Sequence, residues 1–165
     1  MRVLGVDPGT WRTGAGLIES SGGRYRRIHS EVIQAPANVP IEKRLSRIFS
    51  FLEEIIRIYR PTVMALENVF YCKNIRSMLK IGEARACAML AASNHDLPVL
   101  EYMPTQVKQA VTGNGRASKI QVQKMIKMLL GMKEMPPSDE ADALALAICH
   151  LHVAKSHPLM KIQGA

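Results

Sequence analysis

MRVLGVDPGTWRTGAGLIESSGGRYRRIHSEVIQA, residues 1–35, holds three strand-like runs separated by two turn signals. Arg2 to Asp7 is apolar between its ends, which predicts a strand buried on both faces. Pro8-Gly9-Thr10 predicts a tight turn, since proline presets φ and glycine accepts what other residues resist. Arg12 to Glu19 returns as a second strand with Gly14 and Gly16 inside it, and Gly22-Gly23 is the next turn. Tyr25 to Ala35 completes an antiparallel meander. Asp7 is out of place in a buried run. A buried carboxylate is costly unless paired, so Asp7 predicts a cation or a donor beside it.

Reading outward, Pro40 precedes a helix in which Ile41, Leu45, Ile48, Phe49, Leu52, Ile55, Ile56 and Tyr59 recur at three and four. Arg60-Pro61 stops it. Residues 62–67 predict a buried strand that ends in a second acid, Glu67. A helix between two buried strands implies that this strand pairs parallel with the first. After a loop, Ile75 to Asn94 predicts a long helix rich in Gly82, Ala84, Ala86, Ala88, Ala91 and Ala92. Small residues admit close approach of another element. The candidates are the chain's own sheet and a second copy across a homodimer seam. Leu97 to Tyr102 predicts a fifth strand, and Pro104 to Val111 a short helix ended by Gly113-Asn114-Gly115. Ser118 and Gln121 form a capping box for a helix running to about Leu130. Ser138 is the predicted N-cap of the last helix, whose stripe is Ala141, Leu144, Ala145, Ile148 and Leu151 or His152. The fold class is α/β: a mixed five-stranded sheet flanked by helices, one domain over residues 1–155 with a frayed tail at 156–165.

Charge narrows the function. The chain has 22 Lys+Arg against 14 Asp+Glu, a net charge of +8, which favours a nucleic-acid partner over a membrane surface. No stretch approaches the ~20 apolar residues of a spanning helix. Asp7 also breaks the first run before any leader pattern forms. Cys72, Cys87 and Cys149 have no metal-site spacing and fit reduced thiols of a cytoplasmic protein. Cys149-His150-x-His152 diverges on a helix, so these read as surface or core-edge side chains rather than zinc ligands. From Met103 to Lys133 the basic residues are Lys108, Arg116, Lys119, Lys124, Lys127 and Lys133, with no acid among them. Lys73, Arg76 and Lys80 form a second acid-free run. A solvated face normally mixes both signs, so these runs predict phosphate contacts. Asn114 between glycines predicts a flexible tip that follows a backbone. Phe70 and Tyr71, just after Glu67, either anchor their loop or stack on a splayed base.

Asp139 and Asp142 stand three apart at a helix start, on one face, with β-carbons about 5–6 Å apart. Helix starts favour acids in any case, Asp7 suits the turn before Pro-Gly, and Glu67 could end its strand in solvent. Those are three separate accounts. One metal site accounts for Asp7, Glu67, Asp139 and Asp142 together, with Glu140 pointing elsewhere. An all-oxygen donor set predicts hard cations, two Mg2+ with Mn2+ able to substitute, about 3.5–4 Å apart as in phosphodiester hydrolysis.

Asp7-Pro8-Gly9 after a buried strand, Leu66-Glu67-x-Val69-Phe70, Gln106-Val107-Lys108-Gln109, Lys119 and Asp139-x-x-Asp142-Ala143-Leu144-Ala145 form an ordered set. This set resembles the RuvC family of bacterial Holliday junction resolvases, from residue 2 to about His152. Asp-Pro-Gly alone also fits actin-like ATPases and sugar kinases. The resemblance implies a ribonuclease H-like fold, a homodimer with the small-residue helix at its seam, and one two-metal site per subunit. It implies that Asp7, Glu67, Asp139 and Asp142 are the catalytic acids; some relatives have histidine at the position of Asp139. It implies that Lys108 and Lys119 serve the junction near the cut and that Phe70 stacks on a base near its centre. Paired symmetric nicks with 5′-phosphate ends, a place in recombination and repair, and partnership with the branch-migration proteins RuvA and RuvB are implied likewise. Two other classes stay open here. A junction-binding module without catalysis leaves the acids unused. An actin-like ATPase needs a second phosphate-binding turn and an adenosine-binding segment that 165 residues do not offer.

Overall fold

The computed structural model describes residues 1–36, 38–68 and 75–156. The meander is β1 (Arg2–Asp7), β2 (Arg12–Ser21) and β3 (Arg24–Gln34). Then follow α1 (Ile41–Tyr59), β4 (Val63–Glu67), α2 (Ile75–Ser93), β5 (Val99–Tyr102), α3 (Pro104–Thr112), α4 (Lys119–Leu129) and α5 (Ser138–Ser156). The sheet order is β3-β2-β1-β4-β5. β1 pairs antiparallel with β2 and parallel with β4, as the helix between them implied. β5 joins β4 in parallel. Phe70, Tyr71, Cys72 and Lys73 lie outside the described residues, as does the tail from residue 157.

Strand alternation sorts the core into two layers. Leu4, Val6, Met64 and Leu66 pack with Ile48, Leu52, Ile55 and Ile56 of α1 and with Ala84, Ala88 and Ala91 of α2. Val3, Val63 and Ala65 face the other way, onto Val107, Val122, Ile126, Leu144 and Ile148 of α3, α4 and α5. The small residues of α2 thus divide. Ala84, Ala88, Ala91 and Ala92 are buried in the subunit, whereas Gly82 and Ala86 are exposed on an outer face with Ile75, Leu79 and Leu90.

Three sequence expectations fail around α5 and the α3–α4 turn. Helix hydrogen bonding starts one residue early: Ala141 N donates to Pro137 O at 2.9 Å, and Ser138 is the first helical residue rather than the cap. The expected stripe of Ala141, Leu144, Ala145, Ile148 and Leu151 is buried, and so are the flanking faces, because the helix is sandwiched between β1/β2 and α3/α4. Of residues 141–151 only Asp142 is not buried. Cys149 and His150 are therefore deep core, not surface or core edge. Tyr102 Oη lies 2.6 Å from His150 Nδ1, and burial lowers the imidazole's pKa, so a neutral ring shares this hydrogen bond with the phenol. His152 alone of the trio is exposed, with Nδ1 2.8 Å from Ala110 O. Finally, the Asn114 turn is pinned rather than loose: Gln109 donates to Gly113 O and accepts from Gly115 N, both at 2.9 Å.

Candidate active site

Val6 pairs with Leu66 at the last rung of the β1–β4 ladder, so Asp7 and Glu67 extend from neighbouring strand ends. Adjacent strands run ~4.8 Å apart, and both acids share the pleat face of Val3, Gly5, Val63 and Ala65. That face belongs to α5. The helix reaches it because glycine leaves room: a β-carbon on Gly5 would lie 1.9 Å from Ala143 O, and one on Gly14 2.1 Å from Asp139 O. Glycines inside strands often mark such backbone approach. The start of α5, with Asp139 and Asp142, is thereby seated over the ends of β1 and β4.

Asp7, Glu67, Asp142, Lys108 and Lys119 line one cleft of about 280 Å³, floored by Val107, Val122 and Ala145. Burial, then the charges of Asp142, Glu67 and Asp139, raise the Asp7 pKa from 3.8 to about 7 against the opposing pull of Lys119. Glu67 is raised by burial and by Asp142, and lowered by Lys119 and Lys108. Two protein cations already meet the acids. Lys119 Nζ donates to Asp142 Oδ2 at 3.1 Å, and Arg12 Nε sits 3.3 Å from Asp139 Oδ2. Among the described residues no three acid, histidine or cysteine side chains close into a ready metal cage. Yet three cations, Lys119, Arg12 and the more distant Lys108, face four carboxylates, and Asp7 carries the electrostatic strain. An oxygen-only set with surplus negative charge fits hard divalent ions.

Glu140 does point away, accepting from Ser30 Oγ at 2.5 Å on β3. Lys108 is half-buried at the cleft, while Arg116 is exposed beyond it and Arg76 is exposed at the start of α2. The structure thus brings Lys108 and Lys119 to the acids and leaves Arg116 and Arg76 on outer surfaces. Arg12 and Arg85 escaped the sequence reading. Arg85, on α2, donates to the main-chain oxygen of Glu67 and pairs with Glu101. Neither has a local signal, because each partner is remote in sequence.

A family model for crossover junction endodeoxyribonuclease RuvC matches residues 3–150. The chain belongs to the RuvC family. A RuvC of Geobacter sp. strain M21 is 49% identical over 161 residues, covering 98% of each chain. Thermus thermophilus RuvC, solved in complex with a Holliday junction substrate, superposes with a TM-score of 0.90 at 37% identity, covering 94% of this chain and 96% of that one. The yeast mitochondrial Holliday junction resolvase Ydc2 shares the fold, with a TM-score of 0.66 at 14% identity. The sheet and its helices are the ribonuclease H-like arrangement of RuvC.

Proposed function

We propose that this chain is a divalent-metal-dependent endonuclease that resolves four-way DNA junctions by paired symmetric nicks. The observation that carries this is Asp7: a half-buried strand-end carboxylate among three other acids, beneath a basic cleft wall, in a chain of the RuvC family. Asp7, Glu67, Asp139 and Asp142 would hold the ions, two Mg2+ or Mn2+ per subunit. Such ions supply water activation and stabilisation of the leaving 3′-oxygen, giving 5′-phosphate ends. The chain's own part is to fix the carboxylates on rigid elements and to bring the phosphate near with Lys108 and Lys119. Phe70, Lys73, Arg76 and Arg116 extend the DNA contact surface in this reading.

Cleavage of a synthetic four-way junction, set against a linear duplex of the same sequence, tests the proposal. Symmetric nicks in the junction alone, with Mg2+ and not with chelator, are expected. Tight junction binding without nicks in Mg2+ or Mn2+ would favour a binding module instead. Lys119→Ala is expected to weaken junction binding and to reduce its log–log salt slope by up to about one. An unchanged slope would mean that Lys119 touches no phosphate.

A dimer about α2 completes the reading, since paired nicks need two sites. Leu90 is 57% exposed and Leu79 59% on one helix face, which supports a seam there. Leu90→Glu is expected to yield monomers in sedimentation and to turn paired nicks into single ones. A dimer that survives the charge places the seam elsewhere. RuvA and RuvB are the proposed branch-migration partners. A cytoplasmic location agrees with the free thiols of Cys87 and Cys149 and with described helices too short or polar to cross a membrane.

A further inference from the structure

We infer that Arg85 is a positioning residue for the catalytic end of β4: from α2 it grips the main chain at Glu67, and Glu101 on β5 holds it there. The guanidinium donates from Nη1 to the Glu67 carbonyl oxygen and from Nη2 to the Glu101 carboxylate. Its side chain is only 14% exposed. The need arises from where the ladder stops. β4 leaves β1 after Leu66, and on the other side Glu67 pairs with Tyr102 at the end of β5. Asn68 N then donates to Tyr102 O at 2.8 Å. The Glu67 carbonyl lies at this margin, where strand pairing no longer fixes the peptide on both sides.

Anchoring that carbonyl fixes the peptide plane from which the Glu67 side chain departs. The carboxylate is thus aimed toward Asp7 and Asp142 without Arg85 touching it. The planar fork offers two donors in fixed directions, one to a carbonyl and one to a carboxylate, whereas a lysine ammonium would meet them as a point charge without that fixed geometry. Arg85 also belongs to the helix whose outer face is apolar, so the seating of α2 and the placement of Glu67 are mechanically joined. The plainer role for the pair is a brace that merely holds α2 on the sheet.

The inference rests on the proposed metal-dependent cleavage, and its test separates the two. Mn2+ binding to the full, DNA-free chain is measured by electron paramagnetic resonance for wild type, Arg85→Gln, Arg85→Lys and Glu101→Gln. Single-turnover junction cleavage, junction affinity in chelator and thermal melting are measured beside it. Arg85→Gln is expected to weaken Mn2+ binding and slow cleavage by about 10–100-fold, as loss of a supporting contact behind a ligand does. Junction affinity in chelator should stay within about twofold, because phosphate contacts set it. Glu101→Gln should lose less in the same direction, and Arg85→Lys should recover part of the loss. Wild-type Mn2+ affinity in Arg85→Gln, with or without a lower melting point, would overturn the inference and leave a brace. Should Arg85→Gln fail to fold, unchanged Mn2+ affinity in Glu101→Gln overturns it equally. A wild-type chain that binds Mn2+ but leaves junctions uncut would defeat the resolvase reading alone.

Discussion

Asp7→Asn is expected to cut junctions at least about 10³-fold more slowly than wild type, since a bound metal lowers the barrier by several kcal/mol. Junction affinity in chelator should change little, because Asp7 is half-buried at a strand end and the cleft cations are untouched. The same substitution should stabilise the metal-free fold. The folded pKa of Asp7 is about 7 against 3.8 unperturbed, so the folded state holds a proton that the unfolded state has lost. Stability therefore falls as pH rises from about 4 to about 7 and is level above that. At pH 8 the ionised Asp7 opposes folding by something on the order of 4 kcal/mol, an upper figure before the site relaxes. Metal-free Asp7→Asn should melt above wild type at pH 8, with the gap closing toward pH 4. Added metal should narrow the gap by stabilising wild type alone. Normal cutting by Asp7→Asn would sink the metal assignment, and a lower melting point at pH 8 would sink the electrostatic one.

The same proton is expected to set the pH dependence of the activity. Metal binding at the proposed site would require the carboxylate form and so would release a proton near neutrality. Cleavage at limiting Mg2+ should climb with pH up to about 7 and then flatten. Saturating metal should shift the climb to lower pH. A profile that ignores the metal concentration would mean that some other group governs the rise.

Much of this site was legible because its acids violate the local pattern. Asp7 and Glu67 end buried strands, and period-two alternation with parallel pairing is enough to set them side by side. Asp139 and Asp142 share a helix face by spacing alone. The expected apolar stripe of α5 is buried, but so is most of the rest of the helix, for a reason outside the local sequence: nothing in residues 138–156 reveals that α3 and α4 cover the face turned from the sheet. His150 and Cys149 were misread for that same reason. The turn at Asn114 was misread because Gln109, one turn earlier in α3, clamps it with both ends of its amide. Arg12 and Arg85 act between a strand and a helix, on partners 127 and 18 residues away, and no motif marks such a contact.

Gly5→Ala tests whether α5 is truly seated where the site needs it. The added methyl would stand 1.9 Å from Ala143 O and 2.9 Å from Ala147 N, and both are helix backbone. A side chain could rotate away; a hydrogen-bonded backbone cannot. Overpacking a core with a methylene costs about 1–3 kcal/mol when side chains give way, so a backbone clash should exceed about 3 kcal/mol. That is a large share of a stability of roughly 5–15 kcal/mol, and melting should fall by about 10 °C or more, or the chain should not fold. Gly14→Ala presses on Asp139 itself, 2.1 Å from its carbonyl oxygen. Where Gly14→Ala folds at all, the first turn of α5 must shift, so Mn2+ binding and cutting should fall further than the melting point accounts for. Gly82→Ala is the contrast, since its methyl meets open space within the subunit and a helical alanine is favoured over glycine by up to about 1 kcal/mol. If Gly5→Ala melted like wild type, α5 could not lie on β1. The four acids would then have no common seat.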